Sequence, residues 1–317
     1  MTPSQSVSMD VTHRRASVNG VELHVAEQGE GRPVILAHGF PELWYSWRHQ
    51  LQALADAGYR AIAPDMRGYG DSEIPPGVEA YDFQTVADDL LGLLDQTGEE
   101  SCVFVGHDLG AAVVWSLARA HPERVAGVVA LSVPFLPQTP TVAALREGFG
   151  DDFYIVRFQE PGVADEALSR DVRRTLLGAW ARDWQGGIGH VQPDLERPAE
   201  AGEDASAPEW ISDQEAEVYF SAFERTGFTG GLNYFRNMDR NAELTEPYKE
   251  RALTVPALFI TGEGDPVRGF MPDQVMDEWV PDLRGRVVVE GAGHWVQQER
   301  PDQVNVALRE FLHSVGY

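Results

Sequence analysis

The chain has 317 residues, 43% hydrophobic and 24% charged, with a single cysteine. This is ordinary globular composition, enough for one α/β domain with an insertion or for two units; it excludes collagen, coiled coil, wholesale disorder and a disulfide framework. Fifty acidic residues against 25 basic ones leave a formal charge of −25, a field that repels phosphate backbones and anionic lipid surfaces and so argues against nucleic acid and membrane as partners. The N-terminus lacks a basic-then-apolar leader and no run of about 18 apolar residues occurs, so a cytoplasmic protein is expected.

Residues 1–10 read as a loose tail. Alternation over 16–26, broken by Asn19-Gly20, predicts a hairpin. A strand–helix rhythm follows: strand 33–37, helix 44–57, strand 59–63, helix 83–94, strand 102–105, helix 109–120 and strand 125–133. Such alternation predicts βαβ units, with a mostly parallel sheet between layers of helices. Cys102 falls in an apolar strand and is expected to be buried. The rhythm stops near Pro134, and about 110 residues with little strand signal follow. Within them Ser212 and Glu215 form a capping box and Gly227 a stop, predicting a helix over 213–226; 194–208 reads as an exposed loop. Strands at 256–261 and 286–289 and a helix over 301–315 complete the pattern. The expected division is a sheet domain in two pieces, 1–137 and 249–317, interrupted by a helical unit at 138–248.

Gly106-His-Asp108-Leu-Gly110 follows a predicted strand and opens a predicted helix, the setting of a nucleophile elbow. The central residue is an aspartate. A carboxylate attacks a saturated carbon and becomes the acyl half of an ester, which a water must then cleave with the help of a base and an oxyanion hole. His294, in Gly291-Ala-Gly-His-Trp after the last predicted strand, is the candidate base. Asp265, after the strand ending at 261, is the candidate acid that orients it, with Glu263 as competitor. The backbone N–H groups of Phe40 and Leu109 are the candidate oxyanion hole. His38 and His107 read as structural neighbours of tight turns, satisfied by backbone bonds.

Together, His38-Gly-Phe-Pro-Glu-Leu-Trp-Tyr-Ser-Trp-Arg-His-Gln, Asp65-Met-Arg-Gly-Tyr-Gly-Asp-Ser, Gly106-His-Asp-Leu-Gly-Ala, Phe158-Gln-Glu-Pro-Gly-Val-Ala and Gly291-Ala-Gly-His-Trp make the chain resemble soluble epoxide hydrolases of the α/β-hydrolase fold. The resemblance runs from about residue 18 to the end. It implies a helical cap over the sheet, no metal or organic cofactor, and two cap tyrosines that donate hydrogen bonds to the epoxide oxygen. The first matches Tyr154. The second position is Phe235 here, without a hydroxyl; the neighbouring Tyr234 would serve as a second donor only if the backbone rotates, and otherwise Tyr154 works alone or Tyr219 or a water helps. Trp44, Trp115, Phe153, Phe235 and Trp295, with Phe40, are candidate pocket walls. The implied partner is a small neutral or apolar epoxide, converted to a vicinal diol by a monomer or homodimer. A haloalkane dehalogenase would share the aspartate but needs side-chain N–H donors for halide where Leu109 and Phe40 stand. A ligand-binding homologue with impaired turnover is suggested only by Phe235.

Overall fold

The computed structural model describes residues 11–181 and 206–317. The expected tail at 1–10 and most of the expected loop at 194–208 lie outside the described residues. Strands β1 (Thr12–Val18) and β2 (Val21–Gln28) form the predicted hairpin, with Asn19 and Gly20 both at positive φ, as a tight two-residue turn demands. Then come β3 (Pro33–Ala37), α1 (Arg48–Asp56), β4 (Arg60–Pro64), α2 (Phe83–Asp95), β5 (Cys102–His107), α3 (Leu109–Ala120) and β6 (Val125–Leu131). The helix expected from residue 44 begins as a 3-10 turn, Trp44–Trp47, before α1. The strand expected to reach 133 ends at Leu131, because Ser132 turns the chain at φ 69°.

Between β6 and β7 the described chain is helical: α4 (Val142–Phe149), α5 (Tyr154–Arg157), α6 (Val163–Ser169), α7 (Val172–Trp180), α8 (Asp213–Thr226), α9 (Thr229–Arg236) and α10 (Met238–Thr245). The capping box of α8 is in place, with Ser212 Oγ accepting from the Glu215 amide and the Glu215 carboxylate accepting from the Ser212 amide at 2.9 Å. The sheet resumes with β7 (Ala257–Gly262), α11 (Met276–Trp279) and β8 (Leu283–Val289), and the chain closes on α12 (Val296–Glu299) and α13 (Pro301–Ser314).

The eight strands lie in the order β1-β2-β4-β3-β5-β6-β7-β8, antiparallel at the β1–β2 and β2–β4 pairs and parallel from there on. Inner strands are apolar throughout because both faces are covered. Alternate residues divide between two cores. Ile35, Phe104 and Val128 pack with α2, α3 and the inserted helices, whereas Val34, Val103 and Val129 pack with α1 and α13. Cys102 is buried, as expected. Among the described residues no helix is long and apolar enough to cross a membrane.

Candidate active site

The C-terminal ends of β5, β7 and β8 meet beside the inserted helices, and each carries one predicted residue. Asp108 sits between β5 and α3 at φ 52° and ψ −120°, a conformation that is strained for an aspartate. The flanking glycines make the turn possible: a Cβ on Gly106 would strike the Gly110 carbonyl, and one on Gly110 would strike the Ala37 carbonyl. Gly39 lies so close that a Cβ there would collide with Asp108 itself.

Asp265 follows β7 and is almost fully buried; its Oδ1 accepts from the Val267 amide at 3.0 Å and faces His294 Nδ1 at 3.1 Å. The other ring nitrogen, Nε2, lies 3.6 Å from Asp108 Oδ2. Asp108 Oδ1 is turned away and accepts from the Phe40 amide at 2.9 Å. The Leu109 amide opens α3 directly after Asp108. Burial pulls the His294 pKa down, but the carboxylates of Asp265 and Asp108 outweigh it and hold it well above the ordinary imidazole value. Asp265 is pushed up by burial, yet the charge and hydrogen bond of His294 leave it lowered. Glu263 instead accepts from the Gly291 amide at 3.2 Å in an exposed turn.

A second buried layer supports this one. Glu42 accepts from the Gly39 amide at 2.9 Å, from Gln297 Nε2 at 2.9 Å and from His107 Nδ1 at 2.6 Å. His107 Nε2 reaches the His294 carbonyl at 2.8 Å. Burial raises the Glu42 carboxyl, but the His107 charge and hydrogen bond bring it down to about 2. His38 does bond only backbone, at the Gly39 carbonyl and the Met66 amide. His107 does not fit that expectation, since one nitrogen faces a carboxylate. Glu299 pins the histidine loop by accepting from the Gly293 and Trp295 amides. Gln297 and Glu299 carry no motif spacing of their own, and Glu42, though it stands in the quoted His38-Gly-Phe-Pro-Glu motif, was given no role there, so sequence reasoning missed all three.

The model for the alpha/beta hydrolase fold matches residues 32–301. Epoxide hydrolase A of Mycobacterium tuberculosis is 48% identical over 95% of this chain and 97% of its own length. Epoxide hydrolase 3 of Siraitia grosvenorii is 38% identical over 96% and 99%. The crystal structure of epoxide hydrolase A from Mycobacterium thermoresistibile superposes with a TM-score of 0.87 at 48% identity, covering 96% of this chain and 98% of that one. This chain belongs to the epoxide hydrolases of the α/β-hydrolase fold.

In this epoxide hydrolase a cavity of about 260 Å³ opens above Asp108, walled by Leu109, Trp115, Phe135, Tyr154, Phe235 and Phe270 among others. Tyr154 packs edge-on against Phe158 and Phe235, and its hydroxyl makes no hydrogen bond to the described residues. Burial first, then the charges of Asp108 and Asp265, raise its pKa, so it remains a protonated donor. Tyr234 must be corrected as a second donor: it is buried on the opposite side of α9 and donates to the Arg67 carbonyl at 3.0 Å. The reason is helical geometry, since neighbours point about 100° apart and Phe235 takes the cavity side. Tyr219 is likewise committed, within 3.0 Å of Ser46 and Gln298.

The expected pocket walls divide. Trp115 and Phe235 line the cavity. Phe153 lies behind it, packed edge-on against Tyr154 and Phe270. Trp295 packs on His294 and donates to the Ala179 carbonyl. Trp44 sits away from the site against His13 and His24. Phe40 contributes its amide to Asp108 and its ring to Phe235. Among the described residues no cluster of three His, Cys, Asp or Glu side chains could hold a metal ion.

Proposed function

We propose that the epoxide is opened by Asp108 and released as a vicinal diol through an ester on that side chain. Asp108 Oδ2 attacks one epoxide carbon from behind, the C–O bond breaks, and Tyr154 stabilises and protonates the departing oxygen. Removing the Asp108 charge takes away one of the two carboxylates that hold His294 protonated, so ester formation itself moves His294 toward the neutral form a base requires. His294, oriented by Asp265, then takes a proton from water as it attacks Asp108 Cγ. The charge developing on Oδ1 meets the amides of Phe40 and Leu109. The tetrahedral intermediate collapses, the leaving alkoxide takes the proton of the new Asp108 hydroxyl, the proton that His294 took from water is passed on to re-form the Tyr154 phenol, the diol leaves, and one carboxylate oxygen of Asp108 now comes from water.

The observation that carries this reading is the division of labour between the two Asp108 oxygens: one held by the Phe40 amide, the other free toward the cavity and 3.6 Å from His294 Nε2. The segment 138–248 is read as the cap that closes the cavity and supplies Tyr154. The same reading puts the enzyme in the cytoplasm, as a monomer or homodimer. A single turnover in heavy-oxygen water tests it: label is expected in the Asp108 carboxylate, and label in the diol alone would exclude the ester.

A further inference from the structure

Two arginines of the described residues are buried, and they are treated differently. Arg67 forms a two-pronged ion pair with Asp89. Arg119, only 7% exposed, faces no carboxylate among the described residues. Its Nη1 donates to the Pro137 carbonyl at 2.7 Å and its guanidinium lies 5.3 Å over the Phe135 ring. The remaining N–H groups of the fork have no partner among the described residues. Those groups keep some contact with solvent, and an Arg side chain this enclosed is ordinarily matched by an acid.

Arg119 also lines the catalytic cavity. Leu109, Ala112, Ser116 and Arg119 are spaced three, four and three residues apart on α3, which puts them on one face of the helix, and all four border that cavity. At 1.5 Å per residue this stripe carries the wall about 16 Å along the helix, from Asp108 at its start to Arg119 near its end. Between them the wall is mostly apolar, with Trp115, Val133, Leu136 and Leu145 beside Ser116. Near the Arg119 end it turns polar again: Thr139, two residues beyond Pro137, and Thr245 are also lining residues.

The geometry points to Arg119 as the recognition residue for a carboxylate at the far end of the substrate. This rests on the reading of Asp108 as nucleophile. The substrate is then an aliphatic chain with its epoxide at Asp108 and a terminal carboxylate at the guanidinium, the group that pairs with a carboxylate through parallel N–H donors. Arg119 is a specificity residue and does not touch the reacting atoms. The net charge of −25 opposes approach of such an anion from solvent, but that field acts chiefly on the encounter rate and is screened by salt, whereas selectivity is set at the buried contact.

The test compares a straight-chain epoxide ending in a carboxylate with its methyl ester, in the wild type, Arg119→Gln and Arg119→Lys. The ratio of kcat/KM for acid over ester is expected to fall about tenfold to a hundredfold in Arg119→Gln, mainly through the KM of the acid, and to recover in part in Arg119→Lys. Taking a ratio removes any general damage to the fold. An unchanged ratio, including a loss shared equally by acid and ester, overturns the inference and leaves Arg119 as a brace for the Pro137 loop. Absence of diol from both compounds with the wild type overturns the Asp108 reading, and this inference with it.

Discussion

The two halves of the site are built differently. On the sheet side, Asp108, Asp265 and His294 sit on turns at strand ends, where close backbone approaches and buried carboxylates leave each side chain little freedom. On the helical side, Tyr154 stands in a packing of aromatic rings with no hydrogen bond from the described residues to hold its hydroxyl, and the second position is phenylalanine. In the proposed mechanism, ester formation and cleavage are thus the heavily determined part, whereas stabilising the departing oxygen is assigned to one residue. A helix can exchange a ring for a phenol without disturbing its backbone. A residue at φ 52° against three glycines has no such latitude.

The largest effect is expected on the sheet side. His294→Gln should lower steady-state turnover by about 10⁴-fold, the scale seen when a triad histidine is disabled, while still allowing Asp108 to react; mass spectrometry after epoxide exposure should find the alkylated enzyme, and unmodified protein would contradict the assignment. Next, Tyr154→Phe should cost about 10²–10³-fold in kcat, as for loss of one charge-stabilising donor. Pre-steady-state kinetics should locate that loss in alkylation, and a slowed hydrolysis step instead would break the proposed split between the halves.

The buried support should show in stability. Glu42→Ala leaves His107 buried without its carboxylate and is expected to lower unfolding free energy by about 3–5 kcal/mol in urea titrations. Its pH dependence has a definite sign: the folded pKa of Glu42 is held at about 2 against an ordinary value of 4.5, so its contribution is present above pH 4.5 and is lost as pH falls toward 2. The wild type should lose more stability than Glu42→Ala across that window, and parallel curves would refute the pairing. The smallest effect belongs to the helical side. Phe235→Tyr places a hydroxyl on the cavity face of α9 and should raise kcat by up to about tenfold, one added hydrogen bond's worth, with Tyr154→Phe/Phe235→Tyr recovering part of the single-variant loss. No gain in either background would mean that position 235 does not reach the epoxide oxygen.

Much of the sheet side was legible because its constraints are local. A Gly-x-Asp-x-Gly turn between an apolar run and a helix, and acid and histidine after later strands, are statements about neighbouring residues, and the structure brings all three together. The choice of Asp265 over Glu263 rested on the same logic of loop position, and it is Asp265 that faces His294 Nδ1. What misled the reading was direction. Trp44, Trp295 and Tyr234 are aromatic and adjacent to motifs, but which way each ring points is set by the packing around it, and none of the three enters the cavity.

By itself the sequence determined the order of strands and helices, the break where the helices are inserted and the turns that carry Asp108, Asp265 and His294, because period, turn chemistry and residue type act over a few residues. Only the tertiary structure decided that Glu42, Gln297 and His107 form one buried network, that Tyr154 alone among the candidate tyrosines keeps an uncommitted hydroxyl, and that an arginine eleven residues after the nucleophile shares its cavity. Glu42, His107 and Gln297 come from distant parts of the chain, and only packing brings them within reach of one another.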